Sequence, residues 1–190
     1  ANTAHIDYMN MTTRGNALDF GDRTITANNA SGCSSSTRGL FCGGNPASDV
    51  IDYVTIASEG DAIDFGNLTN ARFSTGSCGS STRGLTGGGN PSVNIIDYVE
   101  IGTLGNALDF GDLPFPNQSG GPFSNGVTGV FGGGYSPARR DEITKITIAS
   151  KGDATEFGTL QQKRAFPGGC SNSTSGIVAG GESTTELRLL

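Results

Sequence analysis

The chain has 190 residues, 34% of them hydrophobic and 31 of them glycine, with no tryptophan and a net charge of −6. That length suits one domain or two small ones. The acidic balance leaves no basic stripe for nucleic acid, and no apolar run reaches the roughly 18 residues a membrane helix needs. Glycine at about twice its ordinary ~7%, without a collagen period, means either disorder or many tight turns between short strands. The apolar positions decide for strands, because they recur in register.

In chain order, the sequence opens on Ala1 with no charged-then-apolar leader, as expected of a processed chain or a segment of a longer one. The first anchor, Ile6-Asp7-Tyr8-Met9, returns at Ile51 to Val54, Ile96 to Val99 and Ile143 to Ile146, at spacings of 45, 45 and 47 residues. The second, Gly15 to Gly21 with Asp-Phe-Gly at its end, returns at Gly60, Gly105 and Gly152. The third, Ser35-Ser-Thr-Arg38-Gly-Leu-Phe-Cys-Gly-Gly44, returns at Ser80 to Gly89 and, more weakly, at Val127 to Gly134 and Ser175 to Gly181. Within the clearest unit, Ile51 to Ile56 alternates and is β-branched and aromatic, which predicts a strand. Ala62 to Phe65 predicts a second, Phe73 to Cys78 a third and Gly84 to Gly87 a fourth, with Gly88-Gly-Asn-Pro91 breaking the ladder. Four strands per ~45 residues is the period of a propeller blade. The anchors divide one repeat domain, 1-190, near 6-50, 51-95, 96-142 and 143-190.

A lone four-stranded meander of this size exposes an apolar face, so the copies must stack. Phe20, Phe65, Phe110 and Phe157 are then wedges between blades, and Tyr8, Tyr53 and Tyr98 a second layer. The Gly-Gly pairs belong where strands crowd toward an axis. The expected fold is all-β: a propeller of four four-stranded blades. The copies are cut so that the N-terminal two strands and the C-terminal two make one shared blade. Closure within the chain is favoured, with strand donation between chains and a fragment of a longer propeller as the other options. The tail Thr184 to Leu190 is expected as an edge strand or assembly contact.

These residues resemble the kelch family, in which a Gly-Gly pair follows an apolar strand and precedes a tyrosine strand, a large aromatic and an Arg. Leu85-Thr-Gly-Gly88, Tyr98, Phe110 and, in the preceding unit, Leu68-Thr-Asn-Ala-Arg72 carry the resemblance. Phe stands where kelch units have Trp, and the Asp-Phe-Gly turn is a further departure. More closely, Ile-Asp-Tyr-Val-x-Ile with Ala-x-Asp-Phe-Gly and Ser-Ser-Thr-Arg-Gly is similar to kelch-type repeats of marine phage virion and tail-fibre-like proteins. That resemblance implies a virion or extracellular location.

Several residues invite a chemical reading. Asp-Phe-Gly spells a kinase magnesium motif, but no Gly-rich loop, strand Lys or catalytic-loop Asp accompanies it, so Asp19, Asp64 and Asp109 read as turn caps. Asp7, Asp52 and Asp97 form a potential carboxylate ring for Ca²⁺, broken by Thr144; a polar face is preferred. Cys33 and Cys42 flank a hairpin and are the one candidate disulfide; Cys78 and Cys170 read as small core residues. His5 has no nucleophile beside it. Arg38 and Arg83 recur in a turn and serve either an acidic glycan or neighbouring carbonyls. The irregular loop Leu113 to Phe123, with Phe115, Asn117, Gln118 and Phe123, is the candidate ligand or assembly loop. Catalysis needs unique residues converging in one pocket, and here the polar residues repeat like the core. No enzyme activity, cofactor or metal is therefore expected. The expected function is a structural or appendage protein of a phage or virus particle or an extracellular filament. Its partners are then itself or other structural proteins, with no nucleic acid and no membrane insertion. The alternative is a carbohydrate- or receptor-binding adhesion module whose partner is a cell-surface glycan.

Overall fold

A computed structural model describes residues 1–183, so the tail Thr184 to Leu190 lies outside the described residues. Those residues form antiparallel sheets and no helix. A hairpin of β1 (Thr3–Tyr8) and β2 (Leu18–Ala27) comes first. A four-stranded meander follows, β3 (Ser31–Ser34), β4 (Arg38–Cys42), β5 (Ser48–Thr55) and β6 (Ile63–Arg72). The second meander is β7 (Gly76–Gly79), β8 (Arg83–Gly87), β9 (Ile95–Glu100) and β10 (Leu108–Asp112). The third is β11 (Gly121–Ser124), β12 (Thr128–Tyr135), β13 (Arg139–Thr147) and β14 (Thr155–Ala165). A second hairpin, β15 (Gly168–Ser171) and β16 (Gly176–Ala179), follows, and β17 (Glu182–Ser183) then joins the far end of β14. The all-β expectation holds; two sheets have four strands, the third has five with β17, and each terminal hairpin has two.

Two strand limits differ from expectation. The strand expected over Ala62 to Phe65 continues to Arg72, because Gly66, at φ 146°, bulges the ladder instead of ending it. The strand expected from Phe73 begins only at Gly76, because Ser74 turns the chain at φ 54°. The first glycine of each Gly-Gly pair makes a close backbone approach within its own unit. A Cβ on Gly43 would fall 2.4 Å from the Arg72 carbonyl oxygen, and one on Gly88 2.2 Å from that of Asn117. The second glycines lie against other parts of the chain, Gly44 against Ala27 and Gly89 against Thr75.

The short strands β3, β7, β11 and β15 stand side by side in one row. Residues just before them share a left-handed backbone: Asn29, Ser74, Ser119 and Phe166 have φ between 52° and 57°. They bond in series, Ser74 N–H to Asn29 carbonyl (2.9 Å), Ser119 to Ser74 (2.8 Å) and Phe166 to Ser119 (3.1 Å). Core lies between consecutive sheets rather than within one. Phe65 and Leu68 of the first meander pack with Val99, Ile101 and Ala107 of the second, and Phe110 and Leu113 of the second with Phe131, Ile146 and Ile148 of the third. Full burial of one such phenylalanine contributes about 1.5–3 kcal/mol.

The expected shared blade is not formed within the chain. β1–β2 and β15–β16 are separate two-stranded sheets, and β3 and β15, at the two ends of the row, make no extended contact. The same backbone junction, described below, joins the N-terminal hairpin to the first meander, the first meander to the second and the second to the third.

Candidate functional site

What repeats most faithfully is the junction between copies. The turn between β5 and β6 lies on β2. Gly60 N–H donates to the Phe20 carbonyl (2.8 Å), Ala62 N–H to that of Asp22 (2.8 Å), and Asp61 Oδ1 accepts from Asp22 N–H (3.0 Å). Gly105, Ala107 and Asn106 do the same to Phe65 and Asn67, and Gly152, Ala154 and Asp153 to Phe110 and Asp112. Asp or Asn serves equally, since the role needs one side-chain oxygen. Glycine is required on the receiving strand. A Cβ on Gly21, Gly66 or Gly111 would stand 2.5 Å from the backbone of the incoming turn, and these glycines hold φ of 144–150°.

Buried ion pairs cross the first two junctions. Arg23 Nε meets Asp52 at 2.9 Å, and Arg72 meets Asp97 at 2.9 Å with both side chains sealed from solvent. Thr24 and Thr69 hydroxyls donate to the same carboxylates. Burial pulls the Arg72 guanidinium below its ordinary value, while Asp97 opposes that shift. At the third junction Asn117 replaces the arginine and Thr144 the aspartate, so both charges are absent together. Arg38 and Arg83 lie over Tyr53 and Tyr98, 4.8 Å from each ring centre, and donate to the Ile101 and Ile148 carbonyls of the next unit. Arg23 and Arg72 were missed as junction residues. For Arg72 the signal was the paired loss of Arg and Asp in the third copy; Arg23 stands where the other copies have Leu68 and Leu113, and nothing in the repeat marked it.

The aromatic layer is placed as expected at three of four positions. Phe20, Phe65 and Phe110 are buried, each meeting Tyr8, Tyr53 or Tyr98 edge-on at 5.8–6.0 Å. The Tyr8 hydroxyl donates to Glu59, whose carboxylate raises the phenol above its ordinary pKa. Phe157 is a correction: it is 61% exposed, with only Lys145 over its ring, because no turn covers its strand.

The irregular loop is largely built into the structure. Asn117 is buried and donates to the Gly133 carbonyl; Gln118 bridges Tyr135; Arg140 covers the Phe115 ring at 4.0 Å. Phe123 packs against Gly176. The aspartates expected as a possible carboxylate ring are not brought together. Asp52 and Asp97 each face an arginine, and Asp7 lies 3.3 Å from His5. Cys33 and Cys42 are free thiols in contact across the β3–β4 hairpin. The shared hydrogen bond raises the Cys33 thiol and lowers that of Cys42, and burial pushes Cys78 up to about 12. A cavity of about 310 Å³ opens on the row, lined by Ser31, Thr75, Ser77 and Ser119. Another, of about 530 Å³, lies on one face between Arg38, Thr37, Thr82 and Glu100.

The junction lacks a counterpart at both ends. Among the described residues, Gly15-Asn16-Ala17 is an incoming turn with nothing to dock on, and Phe157-Gly158-Thr159 a receiving strand with nothing docked. A Cβ on Gly158 would meet no atom within 4 Å, and neither Gly15 nor Gly158 adopts a positive φ, unlike their docked equivalents. No protein-family model matches the chain, and no curated protein matches it.

Proposed function

We propose that the chain is a non-enzymatic structural or appendage protein of a phage or virus particle or of an extracellular filament. Its sheets are the blades of a kelch-like propeller of four blades, and the two terminal half-sheets are the parts of one blade. The observation that carries this reading is the use of the polar residues. The recurrent Asp, Asn, Arg and Thr side chains at each junction are engaged in joining copy to copy. Repetition of that kind builds a lattice of contacts and leaves no unique constellation for chemistry. Cryo-microscopy of native material tests it: copies are expected at regular spacing on a particle or along a filament. Isolated single copies touching neither would end the reading.

A second reading, a glycan- or receptor-binding module, draws on the face cavity near Arg38. Hydroxyls and charges of both signs there suit the hydroxyls and acids of a sugar. A glycan array is expected to show binding that Arg38→Ala abolishes; equal signals from both proteins would remove it.

A further inference from the structure

We infer that the two open ends are the two halves of one contact, in which the β1–β2 hairpin of one copy completes the β15–β16 hairpin of a second copy, head to tail. This rests on the assembly reading above and names the partner as the chain itself. Within one copy the two hairpins are separate two-stranded sheets.

The internal junctions supply the template, residue by residue. Gly15-Asn16-Ala17 stands in the repeat where Gly60-Asp61-Ala62 and Gly105-Asn106-Ala107 stand, and Phe157-Gly158-Thr159 where Phe65-Gly66-Asn67 stands. The contact therefore places Gly15 N–H on the Phe157 carbonyl, Ala17 N–H on that of Thr159, and Thr159 N–H on Asn16 Oδ1. The strands agree. Leu40 faces Tyr53, Leu85 faces Tyr98 and Val130 faces Lys145 in the three whole β4–β5-type ladders, and in the first Cys42 faces Ile51. The same register sets Ile177 opposite Tyr8 and Ala179 opposite Ile6. β1 and β16 each have one edge without a partner strand among the described residues, and an unpaired edge is a template for pairing.

Charge and shape point the same way. Arg164 occupies the place of Arg72, its carbonyl beside Gly133 as that of Arg72 is beside Gly43. Its Nε is buried with no hydrogen-bond partner among the described residues. Asp7 occupies the place of Asp97 and is exposed. Head-to-tail docking brings these together as the Arg72–Asp97 pair is brought together inside the chain. Beside β1 lies a groove of about 530 Å³ lined by Met9, Met11, Phe20 and Phe41, while Ile177 and Phe157 are exposed on the complementary end. A contact between two different patches closes a ring or grows a filament.

The test is sedimentation velocity across concentration for five samples, each checked for fold by circular dichroism. These are the natural chain, Asp7→Arg, Arg164→Asp, the two single variants mixed one to one, and the double variant. The natural chain is expected to gain mass with concentration. Each single variant should associate about tenfold or more less tightly, since each opposes like charges at a buried site. The mixture and the double variant should recover, because every contact then pairs Arg with Asp. Gly158→Ala is a second probe: it leaves the monomer's melting unchanged and blocks association, since the docked turn leaves no room for a Cβ. A natural chain that stays monomeric at every concentration overturns the head-to-tail contact, while imaging of native material still decides the structural reading. Association that ignores both the charge swap and Gly158→Ala overturns this contact and leaves assembly by another surface.

Discussion

Phe65 and Phe157 hold the same position in two copies of one unit, yet Phe65 is 3% exposed and Phe157 61%. The strands that carry them are alike, each running from a Glu or Asp through Phe-Gly. What differs is the neighbour: the Gly105-Asn106-Ala107 turn lies on Phe65, and among the described residues no turn lies on Phe157. Burial here is a property of the junction and not of the residue type. Stability should accordingly concentrate at the three closed junctions and be nearly absent at the open ends.

The sharpest way to break that comparison is the buried charge. Asp97→Asn leaves Arg72 sealed without its counter-ion and should cost about 3–5 kcal/mol in urea unfolding. Asp7→Asn, at the open end, should change stability by less than about 0.5 kcal/mol. The third junction supplies a control. Arg72→Asn with Asp97→Thr copies the Asn117 and Thr144 arrangement, and the double variant should be more stable than Asp97→Asn alone. Equal losses would mean that the pair is not coupled.

The aromatic pair comes next. Phe65→Ala should destabilise by about 3–5 kcal/mol, the range for an emptied phenylalanine site, whereas Phe157→Ala should shift the midpoint by no more than an ordinary surface change. Comparable losses would show that the C-terminal end is covered in solution. The smallest expected effect sharpens the backbone argument. Gly111→Ala forces a Cβ onto the Gly152 carbonyl at an unfavourable φ and should cost about 1–3 kcal/mol. Thermal unfolding of Gly158→Ala beside it should show no loss in the dilute monomer.

Much of this was legible in advance because repeats make a sequence its own alignment. Ile51-Asp-Tyr-Val recurring every ~45 residues announced strands, and the Asp-Phe-Gly turns announced where they bend. The Tyr–Phe layer was legible too, since alternation sets both residues on one face. The anchoring of the candidate ligand or assembly loop was not legible, because its prolines and phenylalanines look solvent-facing in one dimension. Asn117 is buried there only because it fills the place of Arg72. The expected end of the Phe65 strand was also misplaced, since a glycine that ends a ladder and one that bulges it are the same letter.

By itself, then, the sequence determined the unit: its strands, its aromatic layer and its turns. Local propensity and periodicity are short-range properties, and a repeated unit states them four times. Only the tertiary structure decided how the units meet. The Gly-on-Gly docking, the Arg–Asp pairs and the left-handed residues from Asn29 to Phe166 join copy to copy, and the two terminal hairpins stay separate two-stranded sheets. How the copies meet is a property of packing at the junctions, which no single unit encodes.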